Sequence, residues 1–332
     1  MKPDLNSSEA RFSVELVSAA AKLASRVRDE NSYAPHDKED HTPVTIADMG
    51  IQALAGSMLT RYFPDGQLVA EENADELRKV SGASRLEAIS RYVQRFTFDA
   101  TPEKICDWID RGRGFPQGTF WTLDPIDGTR GYLNGRQYAT ALALIREGQV
   151  TLAAIGCPEL ELPGYPMLGK GVMLFAEKGK GCWAASFDKE NWVKLSVSQC
   201  SEIRNASILD SYDPDHKNNE KNDWIRNELG IEKKPIPLDS QAKHVVLAAG
   251  CAEIFFRTLP QRNPGYREKI WDVAPGAFVI EEAGGRVTDL NGQPIDYGTG
   301  EVLKNNIGIL ATNGLLHSEV LRATQKTVAG LS

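Results

Sequence analysis

The sequence predicts a layered protein with an α+β part and an α/β part, arranged as two domains. Strand patterns cluster in the first part of the chain, whereas strand and helix patterns alternate in the second. At 332 residues, the chain is also too long for one simple core to be the default. Because the composition changes near residue 186, we expect an α+β domain with a mainly antiparallel sheet over residues 1–185, and an α/β domain over residues 186–332.

The chain is predicted to begin with two helices. Apolar residues recur at helical spacing over residues 8–30, and again over GIQALAGSMLTRYFP, where Pro64 ends the second helix. HTPVTIAD, which lies between them, has the pattern of a short extended segment, and QLVAEEN has that of a short strand. Residues 74–115 are predicted to be helical and polar, end in the loop RGRGFPQG, and are interpreted as a surface insertion.

The remaining elements are strands and hairpins in the first domain and alternating strands and helices in the second. TFWTLD predicts a strand that Pro125 interrupts, because proline has no N–H to donate to a strand ladder. YATALALIREGQVTLAAIGCP and GVMLFAEKGKGCWAA each predict two strands joined at a glycine-containing turn. In the second domain we expect strands at NASILDS, CAEIFFR, GRVTD and NIGILATN, and helices at EKNDWIRNELG, SQAKHVVLAAG, WDVAPGAFVIEEAGG and the tail from Leu315.

The composition argues against several classes of protein. A net charge of −7 is unfavourable for a broad basic face that would bind a nucleic acid polymer. No run of eighteen apolar residues occurs, and the first residues lack the apolar region of a signal peptide, so we expect no membrane span. The five cysteines are odd in number and form no CxxC pair, which indicates reduced thiols. We expect a cytoplasmic monomer that acts on a small molecule.

The stretch WTLDPIDGTRGYL, residues 121–133, contains the first candidate site. Asp124 and Asp127 stand three positions apart around a proline, and the turn also exposes the Ile126 carbonyl. Gly128 and Thr129 can open a short helix whose N–H groups face an anion. Hard oxygen donors beside such N–H groups suit magnesium that holds a phosphate. An Asp-Pro turn with a side-chain cap explains the same residues equally well, so both interpretations stay open.

Further acids follow apolar segments elsewhere in the chain. Asp48 ends VTIAD, Glu71 and Glu72 follow LVA, and Asp272 ends KIWD just before a predicted helix. Each alone is explained by a helix cap or a surface charge, and Asp is among the best N-cap residues. Together they are consistent with a multi-carboxylate metal centre, although the sequence does not show that they converge.

In chain order, PVTIAD, EE, LDPIDGT and WDVAPG…EEAGG resemble the lithium-sensitive, magnesium-dependent phosphatases of the inositol monophosphatase superfamily, from Arg11 to the last helix. Within it, GYLNGRQYATALALIREGQV, DSQAKHVVLAAG and GYREKIWD resemble the 3′(2′),5′-bisphosphate nucleotidases. The resemblance implies an αβαβα sandwich of the inositol monophosphatase and sugar phosphatase type. It also implies that metal-activated water hydrolyses adenosine 3′,5′-bisphosphate (PAP) to AMP and phosphate, without a phosphoenzyme. Many such enzymes also act on 3′-phosphoadenylyl sulfate (PAPS), which connects them to sulfur assimilation.

The resemblance further implies roles for individual residues. Two or three Mg²⁺ ions would be held by Glu71, Asp124, the Ile126 carbonyl, Asp127 and Asp272. Asp48 and Thr129 would orient the attacking water, and the N–H groups of Gly128 and Thr129 would bind the phosphate. The nucleotide would contact His216, Ser240, Lys243 and Arg257.

The sequence departs from the family pattern at two places, and other functions stay open. HKNNE keeps only the first histidine of the usual run, at His216, and Pro275 stands where alanine is usual. We place Pro275 in the first turn of its helix, where proline is tolerated.

By spacing alone, Lys243 and Arg257 are better explained as solvated charges, and the resemblance reverses that interpretation. The alternatives are an inositol polyphosphate 1-phosphatase, an inositol monophosphatase, and a non-catalytic sensor of nucleotide bisphosphates.

Overall fold

Five layers of secondary structure make up the protein. The computed structural model describes residues 2–30, 46–188, 191–212, 219–260, 263 and 265–329. In these ranges, helices, a sheet, helices, a second sheet and helices follow one another, which confirms the predicted αβαβα sandwich. Apolar cores lie between the layers. Neighbouring residues of one strand serve different cores, since Phe255 packs toward the central helices and Phe256 toward the outer ones.

The first layer contains the helices that begin the chain, with two shorter helices beside them. Helix prediction over residues 8–30 is confirmed, and an apolar stripe that includes Phe12, Leu16 and Leu23 is buried against the first sheet. The bounds of the four helices are α1 Ser8–Glu30, α2 Ile46–Tyr62, α3 Ala83–Val93 and α4 Pro102–Asp110.

Two predictions for this layer need correction. The extended segment at HTPVTIAD is wrong where the structure describes it, because residues 46–48 already belong to α2, while residues 41–45 lie outside the described ranges. The surface insertion is wrong in part, because α4 packs against α2. Gly56 permits that contact, since a Cβ there would lie 2.1 Å from the Trp108 carbonyl oxygen.

The first sheet has seven strands in sequence order. Its first pair is parallel and the others are antiparallel, as predicted for this part of the chain. Both predicted hairpins are present, and Glu147 and Gly148 form the first turn with positive φ angles of 48° and 71°. The strands are β1 Gln67–Ala70, β2 Thr119–Asp127, β3 Ala139–Arg146, β4 Gln149–Glu161, β5 Lys170–Glu177, β6 Gly181–Ser186 and β7 Trp192–Lys194.

Central helices separate this sheet from the second one, whose strand order is β11-β12-β10-β8-β9. The predicted strands and helices are present, and the short β9 is an addition. The strands are β8 Ile208–Asp210, β9 Ile236–Pro237, β10 Ile254–Arg257, β11 Arg286–Thr288 and β12 Ile309–Thr312. The central helices are α7 Ala242–Ala248 and α8 Ile270–Glu282, and the outer helices are α6 Asn219–Glu228 and α9 His317–Val328.

One continuous core joins strands of both sheets to α7 and α8. The division of the chain at residue 185 therefore stays a prediction. None of the helices within the described ranges combines the length and the apolarity needed to cross a bilayer.

Candidate active site

The end of β2 carries two of the predicted acids. Its ladder with β3 is regular as far as Asp124, shifts register, and resumes at Asp127, which confirms that Pro125 interrupts the pairing. The Pro125 carbonyl accepts a hydrogen bond from Thr140 Oγ1 at 2.8 Å. The interruption thus separates two carboxylates of different exposure, because Asp124 is buried whereas Asp127 is half-buried.

A tight turn follows β2 and leads into α5, Thr129–Leu133, as predicted. Thr129 Oγ1 donates to the Ile126 carbonyl at 3.1 Å. Gly128 has a φ of +84°, and a Cβ at this position would lie 2.9 Å from the Cβ of Ser240. Ser240 itself has a φ of +62°. Two residues with left-handed backbone conformations are therefore in contact here. Position 128 requires glycine because its φ is positive and because a side chain would collide with Ser240.

Asp48 and Glu71 reach the same region from α2 and from the end of β1. Asp48 lies buried in the first turn of α2, and Glu71 directly follows β1. Gln52, one helical turn after Asp48, is buried and joins the two segments. Its Oε1 accepts from the Glu72 N–H at 2.9 Å, and its Nε2 donates to the Glu72 carbonyl and, at 2.8 Å, to the Ile109 carbonyl.

Asp272 comes from the central layer. It is the third residue of α8, and Lys269 occupies the N-cap position, so the interpretation of Asp272 as the cap residue before the helix is wrong. Burial raises the pKa of Asp272, and a hydrogen bond from the Lys269 backbone partly offsets that rise. The start of α8 thus places this carboxylate near the acids at the ends of β1 and β2, with which it interacts electrostatically.

The pKa shifts show that these acids lie in one electrostatic field. Burial raises the pKa of Asp124 well above its usual range, and the charges of Glu71, Asp127, Asp272 and Asp48 raise it further. Burial, followed by the charges of Asp127 and Glu268, also raises the pKa of Asp272, against a lowering effect of Arg257. The structure therefore gathers carboxylates that are far apart in the sequence.

Glu71 occupies the rim of this cluster. The residue is exposed to solvent, yet protein surrounds its carboxyl group closely enough that burial is the main cause of a raised pKa, followed by the charge of Asp272. The neighbouring Asp124 carboxyl partly offsets this rise in the pKa of Glu71.

The donor set fits a hard divalent cation. In the part of the chain that the structure describes, Asp124 Oδ1 is buried and has no hydrogen-bond partner. Raised carboxyl pKa values and an unpartnered oxygen both reflect like charges gathered without an equal number of cations, and Mg²⁺ prefers carboxylate and carbonyl oxygens. Among the described residues, no three His, Cys, Asp or Glu side chains form a ready-made metal site.

Lys243 and Arg257, predicted to contact the nucleotide, lie beside these acids. Lys243 is 2% exposed and donates from Nζ to the Leu238 carbonyl at 3.0 Å, so its interpretation as a solvated residue is wrong. Burial, and then the Arg257 charge, lower the pKa of Lys243 to about 8. Arg257 ends β10 and pairs with buried Glu268 at 2.6 Å.

The other two predicted nucleotide contacts are less defined. Ser240 lies just before α7, where its Oγ accepts a hydrogen bond from the Ala242 N–H at 3.2 Å. His216 lies outside the described residues. The structure thus places three of the four residues around the N-terminal end of α7 and the end of β10.

Sequence reasoning missed several polar residues at this site. Arg136 donates from Nε to buried Asp239 at 2.9 Å, and its guanidinium lies 5.0 Å from the Tyr212 ring centroid. Gln241 bonds to Asp127 through its backbone N–H. Asp239 and Gln241 both belong to the DSQAK motif, which was the signal that could have identified them.

Comparison with known proteins agrees with the layered fold. A model described as the inositol monophosphatase family matches residues 6–329. The chain is 38% identical to a 3′(2′),5′-bisphosphate nucleotidase of Oryza sativa, over 94% of this chain and 92% of that protein. It is 35% identical to one of Schizosaccharomyces pombe, over 95% and 94%. The solved Thermotoga maritima IMPase has a TM-score of 0.64 at 20% identity and covers 98% of this chain with 99% of its own. These matches extend over nearly the whole sequence, and the chain therefore belongs to the inositol monophosphatase family.

Proposed function

We propose that the protein is a Mg²⁺-dependent 3′(2′),5′-bisphosphate nucleotidase that hydrolyses the 3′-phosphate of PAP to give AMP. The observation that carries this proposal is the group of carboxylates from three layers around Asp124, whose Oδ1 has no partner among the described residues. The relatives from rice and fission yeast, which match nearly the full chain, support the choice of substrate. A cytoplasmic monomer and a role in sulfur assimilation stay predictions.

Two or three Mg²⁺ ions would be held by Glu71, Asp124, the Ile126 carbonyl, Asp127 and Asp272. When bound, they neutralise phosphoryl oxygens and lower the pKa of water. The chain supplies the remaining groups. Thr129 would hold the attacking water through its hydroxyl oxygen and pass its own proton to Asp48, so that the Asp48 carboxylate is the final proton acceptor. The N–H groups of Gly128 and Thr129 would contact the transferred phosphate.

Lys243, Arg257, Ser240 and His216 would bind the rest of the nucleotide. Lys243 is buried and Arg257 is half-buried, and both lie close enough to Asp127 for its charge to raise their pKa values. A second phosphate at this place would be a charge-assisted hydrogen-bond acceptor for both. Substrate preference would therefore depend on these cations, whereas the chemistry would depend on the acids.

Replacing Lys243 with methionine is expected to lower kcat/KM for PAP more than kcat/KM for adenosine 3′-monophosphate, which lacks the second phosphate. Methionine fills the buried volume but removes the donor, so kcat/KM for PAP should fall roughly 10- to 100-fold, as expected for a lost charge-assisted bond. Steady-state kinetics on both substrates checks this, with replacement of Lys22, an exposed residue of α1, by methionine as the control. Equal losses on both substrates would remove Lys243 from the specificity pocket.

A substrate panel with Mg²⁺ tests the proposed activity. We expect phosphate release from PAP and PAPS, little from AMP or inositol 1-phosphate, and inhibition by lithium. A preference for inositol 1,4-bisphosphate over PAP would favour the inositol phosphatase alternative. Binding of PAP without phosphate release would favour the sensor alternative. The control is the same assay without added Mg²⁺ and with a chelator present, which should stop phosphate release from every substrate.

A further inference from the structure

Pro275 creates a gap in the hydrogen bonding of α8. It is the sixth residue of this 13-residue helix, so its predicted place in the first turn is wrong. In a regular helix the N–H of residue 275 would donate to the Trp271 carbonyl, and proline has no N–H. Trp271 is buried and directly precedes Asp272. Its carbonyl therefore needs another donor, because a buried carbonyl without one is costly.

The side-chain amide of Gln241 occupies that gap. Its Nε2 donates to the Trp271 carbonyl at 3.1 Å, and its Oε1 accepts from the Gly276 N–H at 2.8 Å. One buried amide thus replaces the missing backbone donor and also binds the residue after Pro275. The close contact between α7 and α8 depends on glycine here, since a Cβ at Gly276 would lie 2.5 Å from Cγ of the His244 ring.

The backbone of the same residue supports a second carboxylate. The Gln241 N–H donates to Asp127 Oδ2. Ser240, with its φ of +62°, turns the chain just before this N–H. Gln241 therefore contacts Asp127 directly and contacts α8 beside Asp272, and these two acids come from different layers of the fold.

We propose that Gln241 is a positioning residue that sets Asp127 and Asp272 relative to each other, and that its side chain is needed because Pro275 interrupts α8. This inference rests on the proposed function, in which both acids are Mg²⁺ ligands. Removal of an outer partner of a metal ligand commonly costs 10- to 100-fold in metal affinity. A residue that only packed α7 against α8 would change stability but leave Mg²⁺ affinity unchanged.

The test is a double-mutant cycle with Gln241→Met and Pro275→Ala. Methionine keeps the length of the side chain and the backbone N–H to Asp127, but it removes the amide. Alanine restores a helical N–H for the Trp271 carbonyl. Titration calorimetry with Mg²⁺ and thermal unfolding in chelator are measured for wild type, both single variants and the double variant. Gln94→Met is the matched control, because it removes one hydrogen bond from a side-chain amide to the Ala100 carbonyl.

We expect Gln241→Met to lower Mg²⁺ affinity roughly 10- to 100-fold in the Pro275 background, and to change it little when residue 275 is alanine. An equal loss in both backgrounds would overturn the link to Pro275. Unchanged Mg²⁺ affinity in Gln241→Met would overturn the positioning role. If Gln241→Met does not fold, Pro275→Ala is compared with the double variant. With alanine at position 275, methionine at position 241 should change neither folding nor Mg²⁺ affinity, and a change in either would overturn the link to Pro275. Thermal unfolding in chelator measures the contact of Gln241 with α8 without any need for Mg²⁺ binding. If the wild-type protein bound no Mg²⁺, that result would contradict the proposed function and not the contact between Gln241 and α8.

Discussion

Replacement of Asp127 with asparagine should abolish hydrolysis of PAP while the protein stays folded. Loss of an outer partner of a metal ligand already costs 10- to 100-fold, so loss of a ligand should reduce kcat/KM by more than about 100-fold. The fold should tolerate the change, because asparagine keeps an acceptor oxygen for the Gln241 N–H. It also removes a charge that raises the pKa values of Glu71, Asp124 and Asp272.

Three measurements separate the role of this carboxylate from a structural effect. Kinetics on PAP and Mg²⁺ calorimetry should both show the loss, whereas thermal unfolding in chelator should show an equal or higher midpoint than wild type. Asp223→Asn is the control, since Asp223 is an exposed residue of α6 that pairs with Arg226. Near wild-type turnover by the Asp127 variant would defeat the ligand assignment. So would a large loss of stability in the absence of metal.

Local signals in the sequence predicted most of the fold. The β3–β4 hairpin needed only a glycine-containing turn between two apolar strands, and Glu147 and Gly148 take the positive φ angles of such a turn. The end of α6 is equally local, because Gly230 provides the left-handed residue beyond it. Pro125 marked the interruption of β2 for a purely chemical reason, the missing N–H. These features depend on neighbouring residues, so the sequence displays them directly.

The parts of the site that the sequence did not predict depend on contacts between distant segments. Lys243 was better explained by spacing as a solvated residue, because nothing local shows that its Nζ meets the Leu238 carbonyl inside a buried layer. Gln241 and Trp271 are separated by 30 positions, and only the packing of α7 on α8 brings them together. Asp48 was assigned to an extended segment, although α2 begins two residues earlier. Motifs in the sequence were therefore enough to choose the acids of the candidate site. The contacts between distant segments that hold these acids in place were not predictable.

Replacement of Thr129 with valine should lower kcat on PAP roughly 10²- to 10⁴-fold, the usual contribution of a positioned proton-transfer group. Valine keeps the shape and the backbone N–H of Thr129 but cannot donate a hydrogen bond or hold water. In the structure the Thr129 hydroxyl donates to the Ile126 carbonyl, and Asp48 lies close enough to raise the pKa of Asp124. The hydroxyl thus belongs to the turn at the end of β2, the strand that carries Asp124 and Asp127. Thr129→Ser, which keeps the hydroxyl, should retain most of the activity.

Thr140→Val is the matched control for this prediction, because it removes a hydroxyl that bonds to the neighbouring Pro125 carbonyl. That bond supports the same turn, but Thr140 is buried, and the proposed mechanism gives it no part in holding water. Its loss should lower the free energy of unfolding by about 1 kcal/mol and leave kcat within a small factor of wild type. If both valine variants lost activity equally, the turn's shape would explain the effect and Thr129 would have no chemical role. A large loss confined to Thr129→Val, with recovery in Thr129→Ser, would assign proton transfer to this hydroxyl, because the two threonines support the same turn and only Thr129 would face the reacting water.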